Sequence, residues 1–175
     1  MSVIRRDRLT TTKTYHKVTI RDDMNDIPED EARQLLTRPL FCEDCPEWRP
    51  PRGTKGMLQA SCGLLDSDGI NVQLIVDLIF KRSPKTDVVQ YKFSVFRRGP
   101  AARLERVFQL DVMQWPKGYP SDHHKPHQHF GDKRNLGDAS WSDWTYDEVL
   151  KHFCAMTNIT FQPPLSHPEE LQLRG

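Results

Sequence analysis

The sequence predicts an α+β protein, with an antiparallel four- to five-stranded meander, a C-terminal helix packed on one face and a small N-terminal helix and strand region. From Met57 onward, apolar residues recur at every second position in consecutive segments, which is the period of a half-buried strand. The connections between these segments are too short for a parallel crossover. A capped amphipathic helix follows from Thr145, and together these features predict a sheet covered by one helix.

The first 56 residues are expected to form an accessory region (1–56). TKTYHKVTI alternates as a short strand, and Asp26 is expected to cap a short helix with Pro28 near its first turn. RPLFCEDCPEWRPPRGTKG contains four prolines and two glycines, which is typical of a loop. The helix is expected to turn three apolar residues to one side: Ala32, Leu35 and Leu36.

The sheet domain is predicted to span residues 57–158, followed by an extended tail over residues 159–175. MLQASCGLL, NVQLIVDLIF, VVQYKFSVF and RLERVFQLDV are its expected strands, each with the alternation of a strand that buries one face. The residues predicted to face the core are Val72, Leu74, Val76, Leu78, Phe80, Val89, Tyr91, Phe93, Val95, Leu104, Phe108, Leu110 and Val112.

The last predicted element is a helix with a recognisable start and stop. Thr145-Tyr-Asp-Glu148 is a capping box, in which the Thr hydroxyl and the Glu carboxylate each satisfy a backbone N–H. Asn158 is expected to end the helix. Its apolar stripe, which can cover a sheet face, comprises Val149, Leu150, Phe153 and Met156.

Composition limits the class of protein without naming an activity. Twenty-five basic residues are balanced by 24 acidic ones, which argues against a protein that coats nucleic acid along its whole surface. No apolar run approaches the length of a membrane helix, and the N-terminus lacks a signal-peptide core. We therefore expect a cytoplasmic protein that does not act at a membrane.

The histidines are the most informative feature of the sequence. Four of the seven lie within seven residues, at His123, His124, His127 and His129. In an extended HQHF segment, His127 and His129 project from one face, where two imidazoles can act as general acid and base or as two ligands of a divalent metal such as zinc. Asp132 is a candidate for orienting an imidazole or adding an oxygen ligand.

Basic residues cluster ahead of the histidines. Between Lys81 and Arg106 there are eight basic and two acidic residues, so a basic hairpin beside the histidines can hold phosphates. The competing interpretation is a sheet edge kept charged against aggregation. The candidate nucleic-acid-binding residues are Lys92, Arg97, Arg98, Arg103 and Arg106.

The spacing of the cysteines indicates an alternative site. Cys42-Glu-Asp-Cys45 has the spacing of half a zinc site, with Cys62 as a third ligand and a histidine such as His16 as a fourth; loop cysteines that stay reduced are the competing interpretation.

Asp77 followed by Gln90-Tyr-Lys92 resembles the motif of metal-dependent restriction-type nucleases. Pairing Arg82 with Asp87 would set Asp77 opposite Lys92, although a cross-strand ion pair explains that geometry equally well.

The order of motifs from Met57 to about Asn158 resembles the TumE-type toxins of bacterial toxin–antitoxin pairs. The residues that carry the resemblance are Leu65-Asp-Ser-Asp-Gly69, Gln90-Tyr-Lys-Phe-Ser-Val-Phe96, Arg106-Val-Phe-Gln-Leu-Asp111, His127-Gln-His-Phe-Gly-Asp132 and the capped helix. The resemblance implies a toxin-like module whose partner is a small protein antitoxin, a DNA-binding partner or another protein. Because strict alternation sets Arg106 and Asp111 on opposite faces, both join one site only if a bulge separates them.

The leading hypothesis is a toxin-type protein that acts on RNA, for instance as a ribonuclease, or on the machinery that uses RNA. His127 and His129 are then general acid and base, Asp132 is the orienting carboxylate, and Arg106 with Arg103 or Lys92 binds the phosphate. The alternative is a non-catalytic binding or defence-related protein. In that case the histidine cluster, or a combined cysteine and histidine set, would hold a structural metal.

Overall fold

The computed structural model describes residues 25–44, 47–115 and 118–172. The strand expected over TKTYHKVTI, together with His16 and Cys45, lies outside these residues. In the described part of the chain, no helix is long and apolar enough to cross a membrane.

The architecture is α+β, as predicted, with a mostly antiparallel sheet whose strands run in the order β8-β7-β6-β5-β4-β3-β2-β9, while β1 pairs with β6. The strands are β1 (Asn25–Asp26), β2 (Leu40–Cys42), β3 (Met57–Leu65), β4 (Asn71–Arg82), β5 (Val89–Arg98), β6 (Leu104–Gln114), β7 (His127–Phe130), β8 (Lys133–Leu136) and β9 (Ile159–Phe161). The helices are α1 (Glu29–Leu35), α2 (Tyr146–Thr157) and α3 (Pro168–Gln172).

The central meander is confirmed, because β3, β4, β5 and β6 are successive antiparallel neighbours. Leu78 pairs with Phe93, and Phe93 pairs with Leu110, so apolar side chains from adjacent strands line one face. All three are fully buried. Of the residues predicted to face the core, Leu104 at the start of β6 is 38% exposed, because an extra residue at Val107 shifts the register and leaves Leu104 on the opposite face, as the partner of Arg98 beside the β5–β6 turn.

Helix α2 covers the apolar face, and its predicted ends are confirmed. Both hydrogen bonds of the capping box between Thr145 and Glu148 are present, and Asn158 ends the helix in the left-handed conformation. Phe153 is fully buried and meets Phe93 edge to face, with ring centroids 5.6 Å apart. The helix and the meander therefore share one core.

The N-terminal helix forms without the predicted aspartate cap. Pro28 occupies the N-cap position of α1 and no side chain caps it. Asp26 instead lies in β1, and its carboxylate forms an ion pair with Arg106 at 2.7 Å. The aspartate is thus held by the sheet rather than by the helix.

The side of α1 that was predicted to face the core is confirmed, since Ala32 and Leu36 are buried.

The expected boundary near Gly56 does not coincide with a break in the core. Strand β2 pairs with β3 on one side and with β9 on the other, so residues from the expected accessory region and the expected tail both join the sheet. Leu40, Trp48 and Ile159 belong to the same buried cluster as the meander.

A bulge in β6 positions the polar residues of the sheet. Val95 pairs with Phe108, but the next residue of β5, Phe96, pairs with Arg106, so Val107 is an extra residue in β6. An extra residue reverses the side to which the following positions point. Arg106 and Asp111 therefore lie on the same face of the sheet.

Candidate functional site

The face of the sheet opposite α2 carries two rows of residues that run across the strands. One row contains Asp77, Ser94, Gln109, His129 and Arg134, which are successive cross-strand partners from β4 to β8. The second row, one register step away, contains Ile79, Lys92, Asp111, His127 and Leu136. Successive side chains of a strand point to opposite faces. The strands that bury their apolar residues on the α2 side therefore bring these polar residues together on the opposite face.

The two histidines predicted to act together are adjacent on this polar face. Their ring centroids lie 5.2 Å apart, with an interplanar angle of 73°. His127 is buried, and its Nδ1 lies 2.8 Å from the Lys125 carbonyl oxygen. Because a carbonyl only accepts, Nδ1 carries the proton in the neutral ring. His127 Nε2 is therefore left as the basic nitrogen.

Burial and positive neighbours keep both imidazoles neutral. Burial, followed by the positive charge of Arg106, lowers the pKa of His129 to about 3, with further contributions from His127, Arg134 and Lys92. Burial also lowers the pKa of His127, while the Asp111 carboxylate acts in the opposite direction. His129 Nδ1 is buried and has no hydrogen-bond partner among the described residues.

Asp111 is the carboxylate that lies beside the histidine pair. It is the cross-strand partner of His127 on one side and of Lys92 on the other. Gln90 Nε2 donates to both carboxylate oxygens, at 3.0 and 3.2 Å. The alternation of β6 in the sequence does not assign Asp111 to the site, because the bulge at Val107 is not visible in that pattern.

Asp132 lies in the turn between β7 and β8, with its side chain exposed. Its backbone N–H donates to the Ile27 carbonyl at 2.9 Å, and no hydrogen bond joins its carboxylate to His127 or His129 within the described ranges. Gly131 has φ +51°, and a Cβ there would lie 2.0 Å from Ile27 O. The Gly-Asp pair therefore fits the turn closely against the chain before α1, and the orienting role of Asp132 stays a prediction.

The five predicted phosphate-binding residues divide between several places. Lys92 and Arg106 lie on the polar face, whereas Arg97 is held by Glu31 and Glu105. Arg98 and Arg103 are exposed near the end of the β5–β6 hairpin.

Arg134 is a cation of the site that sequence analysis missed. It pairs with His129 across the hairpin, and the two-residue Gly-Asp turn after β7 was the signal that could have located it. Arg106 Nε is buried without a hydrogen-bond partner among the residues described, while Arg106 Nη2 is held by the Asp26 carboxylate.

The register of the nuclease-like motif differs from the predicted one. Arg82 pairs with Val89 rather than Asp87, so Asp77 lies opposite Ser94, and Lys92 lies opposite Ile79. Asp77 and Lys92 still share the polar face. Burial raises the pKa of Asp77, while a hydrogen bond from Gln59 and the charge of Lys92 act in the opposite direction.

The four clustered histidines do not form one group. His123 and His124 lie in a short 3-10 turn before β7, where His124 Nδ1 contacts the Ser121 hydroxyl at 2.8 Å. No group of three or more His, Cys, Asp or Glu side chains in residues 25–44, 47–115 and 118–172 is arranged to hold a metal ion.

The expectation that the cysteines stay reduced in a loop is wrong for Cys42 and Cys62. Cys42 lies in β2 and Cys62 in β3, and the two form a disulfide. Two of the three candidate zinc ligands are therefore joined to each other, and the third, Cys45, lies outside the described residues.

Comparison of the chain with family models, curated proteins and solved structures finds no match.

The pKa of His129 predicts a loss of stability in acid. The pKa is about 3 in the folded protein and about 6.5 for an unperturbed imidazole, so the unfolded chain binds this proton first. Stability is therefore expected to be highest above pH 6.5, roughly the unperturbed value, and to fall as the pH drops toward 3. Thermal unfolding of the wild type and His129→Gln across that range measures it, and the variant should lose less stability.

The control for this prediction is His123→Gln, because His123 is exposed. This variant should show the same acid sensitivity as the wild type. Equal acid sensitivity of His129→Gln and the wild type would contradict the assignment of a half-buried neutral imidazole.

Proposed function

We propose that the protein is a toxin-type ribonuclease that cleaves RNA by acid–base catalysis at His127 and His129. The observation that carries the proposal is the pair of neutral imidazoles, with ring centroids 5.2 Å apart, next to Arg106, Arg134 and Lys92. Acid–base groups beside several cations suit a reaction at a phosphodiester, where protons move and negative charge develops on phosphate oxygens.

His127 is suited to the role of general base. Its Nδ1–H is held by the Lys125 carbonyl, so the unprotonated Nε2 can take the proton of an RNA 2′-hydroxyl. The 2′-oxygen then attacks the adjacent phosphorus and forms a 2′,3′-cyclic phosphate. The Asp111 carboxylate favours the imidazolium that results, because its charge raises the pKa of His127.

His129 is suited to the role of general acid once substrate is bound. Positive neighbours contribute to its low pKa, and a bound phosphate, which offsets their charge, will raise that pKa. The protonated ring then donates to the 5′-oxygen as the bond from phosphorus breaks. Arg106 and Arg134 stabilise the charge on the non-bridging oxygens.

The proposed biological setting is that of a toxin held in check by a protein antitoxin. It rests on the motif order that resembles the TumE-type toxins. The alternative of a non-catalytic metal-binding protein draws no support from the described residues, among which no set of three ligands is assembled.

Replacing either histidine of the pair should abolish most of the activity. We expect His127→Ala and His129→Ala each to slow cleavage of single-stranded RNA by about 10²- to 10⁴-fold, the usual contribution of a positioned acid or base. The measurement is the cleavage rate of the purified chain, with growth and total RNA integrity followed during induced expression. His123→Ala is the control and should cleave at the wild-type rate. Folded His127→Ala and His129→Ala variants that retain full activity would refute the proposal.

The two candidate carboxylates should respond differently to substitution. We expect Asp111→Asn to slow cleavage by about ten- to a hundredfold, since an interaction with a charged group contributes about 1.5–3 kcal/mol. Without the carboxylate charge the pKa of His127 falls, so the acid limb of the pH–rate profile should move to lower pH. Asp132→Asn, which carries the matched change in an exposed turn, should leave rate and profile unchanged. The reverse pattern would restore Asp132 as the orienting residue.

A further inference from the structure

The polar face continues beyond the histidine pair to an isolated carboxylate on β4. Asp77 lies in the same cross-strand row as His129, with Gln109 and Ser94 between them. Three strand spacings separate Asp77 from His129, or about 14 Å between Cα atoms. Because side chains on one face of a sheet stand roughly perpendicular to it, the two groups are about as far apart as their Cα atoms, a gap that can take one nucleoside.

One oxygen of Asp77 is positioned and the other lacks a donor. Gln59 Nε2 donates to Asp77 Oδ1 at 2.7 Å, and among the described residues no hydrogen bond reaches Oδ2. A half-buried carboxylate is costly unless donors satisfy it. Its geometry suits a ligand edge with two adjacent N–H groups, because a carboxylate accepts two parallel hydrogen bonds.

Buried polar groups lie between the carboxylate and the histidines. Ser94 is 3% exposed and Gln109 is 4% exposed. Gln109 Oε1 accepts from Arg106 Nη1 at 3.5 Å, which leaves the two Nε2 hydrogens as donors without a partner in the part of the chain that the structure describes. The row thus offers a carboxylate acceptor at Asp77 and, on the far side of Ser94, an amide donor at Gln109.

We propose that Asp77 and Gln109 select guanine as the base of the nucleotide that supplies the attacking 2′-hydroxyl. Guanine presents N1–H and the 2-amino group side by side as donors to the carboxylate, and O6 next to them as an acceptor for an amide. Other bases lack this combination on their Watson–Crick edge, the edge that RNA-binding proteins read in single strands. This inference rests on the proposed cleavage of RNA at the histidine pair.

The test uses single-stranded RNA oligonucleotides that are identical except for one internal guanosine, inosine, adenosine, cytidine or uridine. Inosine lacks only the 2-amino group. We expect the wild-type chain to cleave after guanosine about tenfold or more faster than after inosine or the other bases, the discrimination typical of a paired hydrogen-bond contact. Asp77→Asn should remove most of the difference between guanosine and inosine.

Asp68→Asn is the matched control, because Asp68 is exposed in the β3–β4 turn and loses the same charge. It should keep the wild-type preference. The comparison of guanosine with inosine uses the wild-type protein alone, so it stays informative even if Asp77→Asn does not fold.

A binding measurement separates this inference from the proposed activity. Calorimetric titration with guanosine 3′-monophosphate and inosine 3′-monophosphate reports base selection without cleavage. If the wild type does not cleave but prefers the guanosine nucleotide in an Asp77-dependent way, base selection stands and the nuclease proposal fails. If it cleaves through the histidines with equal rates after all five nucleosides, the nuclease proposal stands and base selection is overturned. Equal binding of the two nucleotides without cleavage overturns both.

Discussion

The candidate site depends on one extra residue in the central sheet. Val107 has no partner on β5, and the reversal it causes lets Arg106 face the same side as Asp111, while Val107 and Phe108 are both buried. Without this bulge, either the cation or the carboxylate would point into the core beneath α2. Arg106 is also the cross-strand partner of Asp26 and forms an ion pair with it, so β1 is linked to the polar face.

The two faces of the sheet satisfy opposite physical demands. On the α2 side, aromatic rings such as Phe93 and Phe153 pack edge to face in the apolar core. On the other side, His129 Nδ1 and Arg106 Nε are buried without partners among the described residues. An unsatisfied buried polar atom costs stability.

Much of the fold could be predicted because it follows from local rules. The alternation of β3 to β6, the capping box at Thr145 and the stop at Asn158 are determined by neighbouring residues. The register, the bulge and the join of β2 to β9 depend on contacts between distant residues, which local periodicity does not encode. The histidine pair was therefore predictable from its spacing, whereas Asp111 and Arg134 joined the site only through strand pairing.

The most direct test is NMR of the full chain, labelled with ¹⁵N in its histidines, during titration with an RNA oligonucleotide that has a 2′-deoxy residue at the cleavage position. The account predicts that the imidazole resonances of His127 and His129 move on binding, and that the pKa of His129 rises from its value of about 3. The resonances of His123 and His124 should stay in place. Binding that moves only those two, or that leaves the pKa of His129 unchanged, would contradict the assignment of the polar face as the functional site.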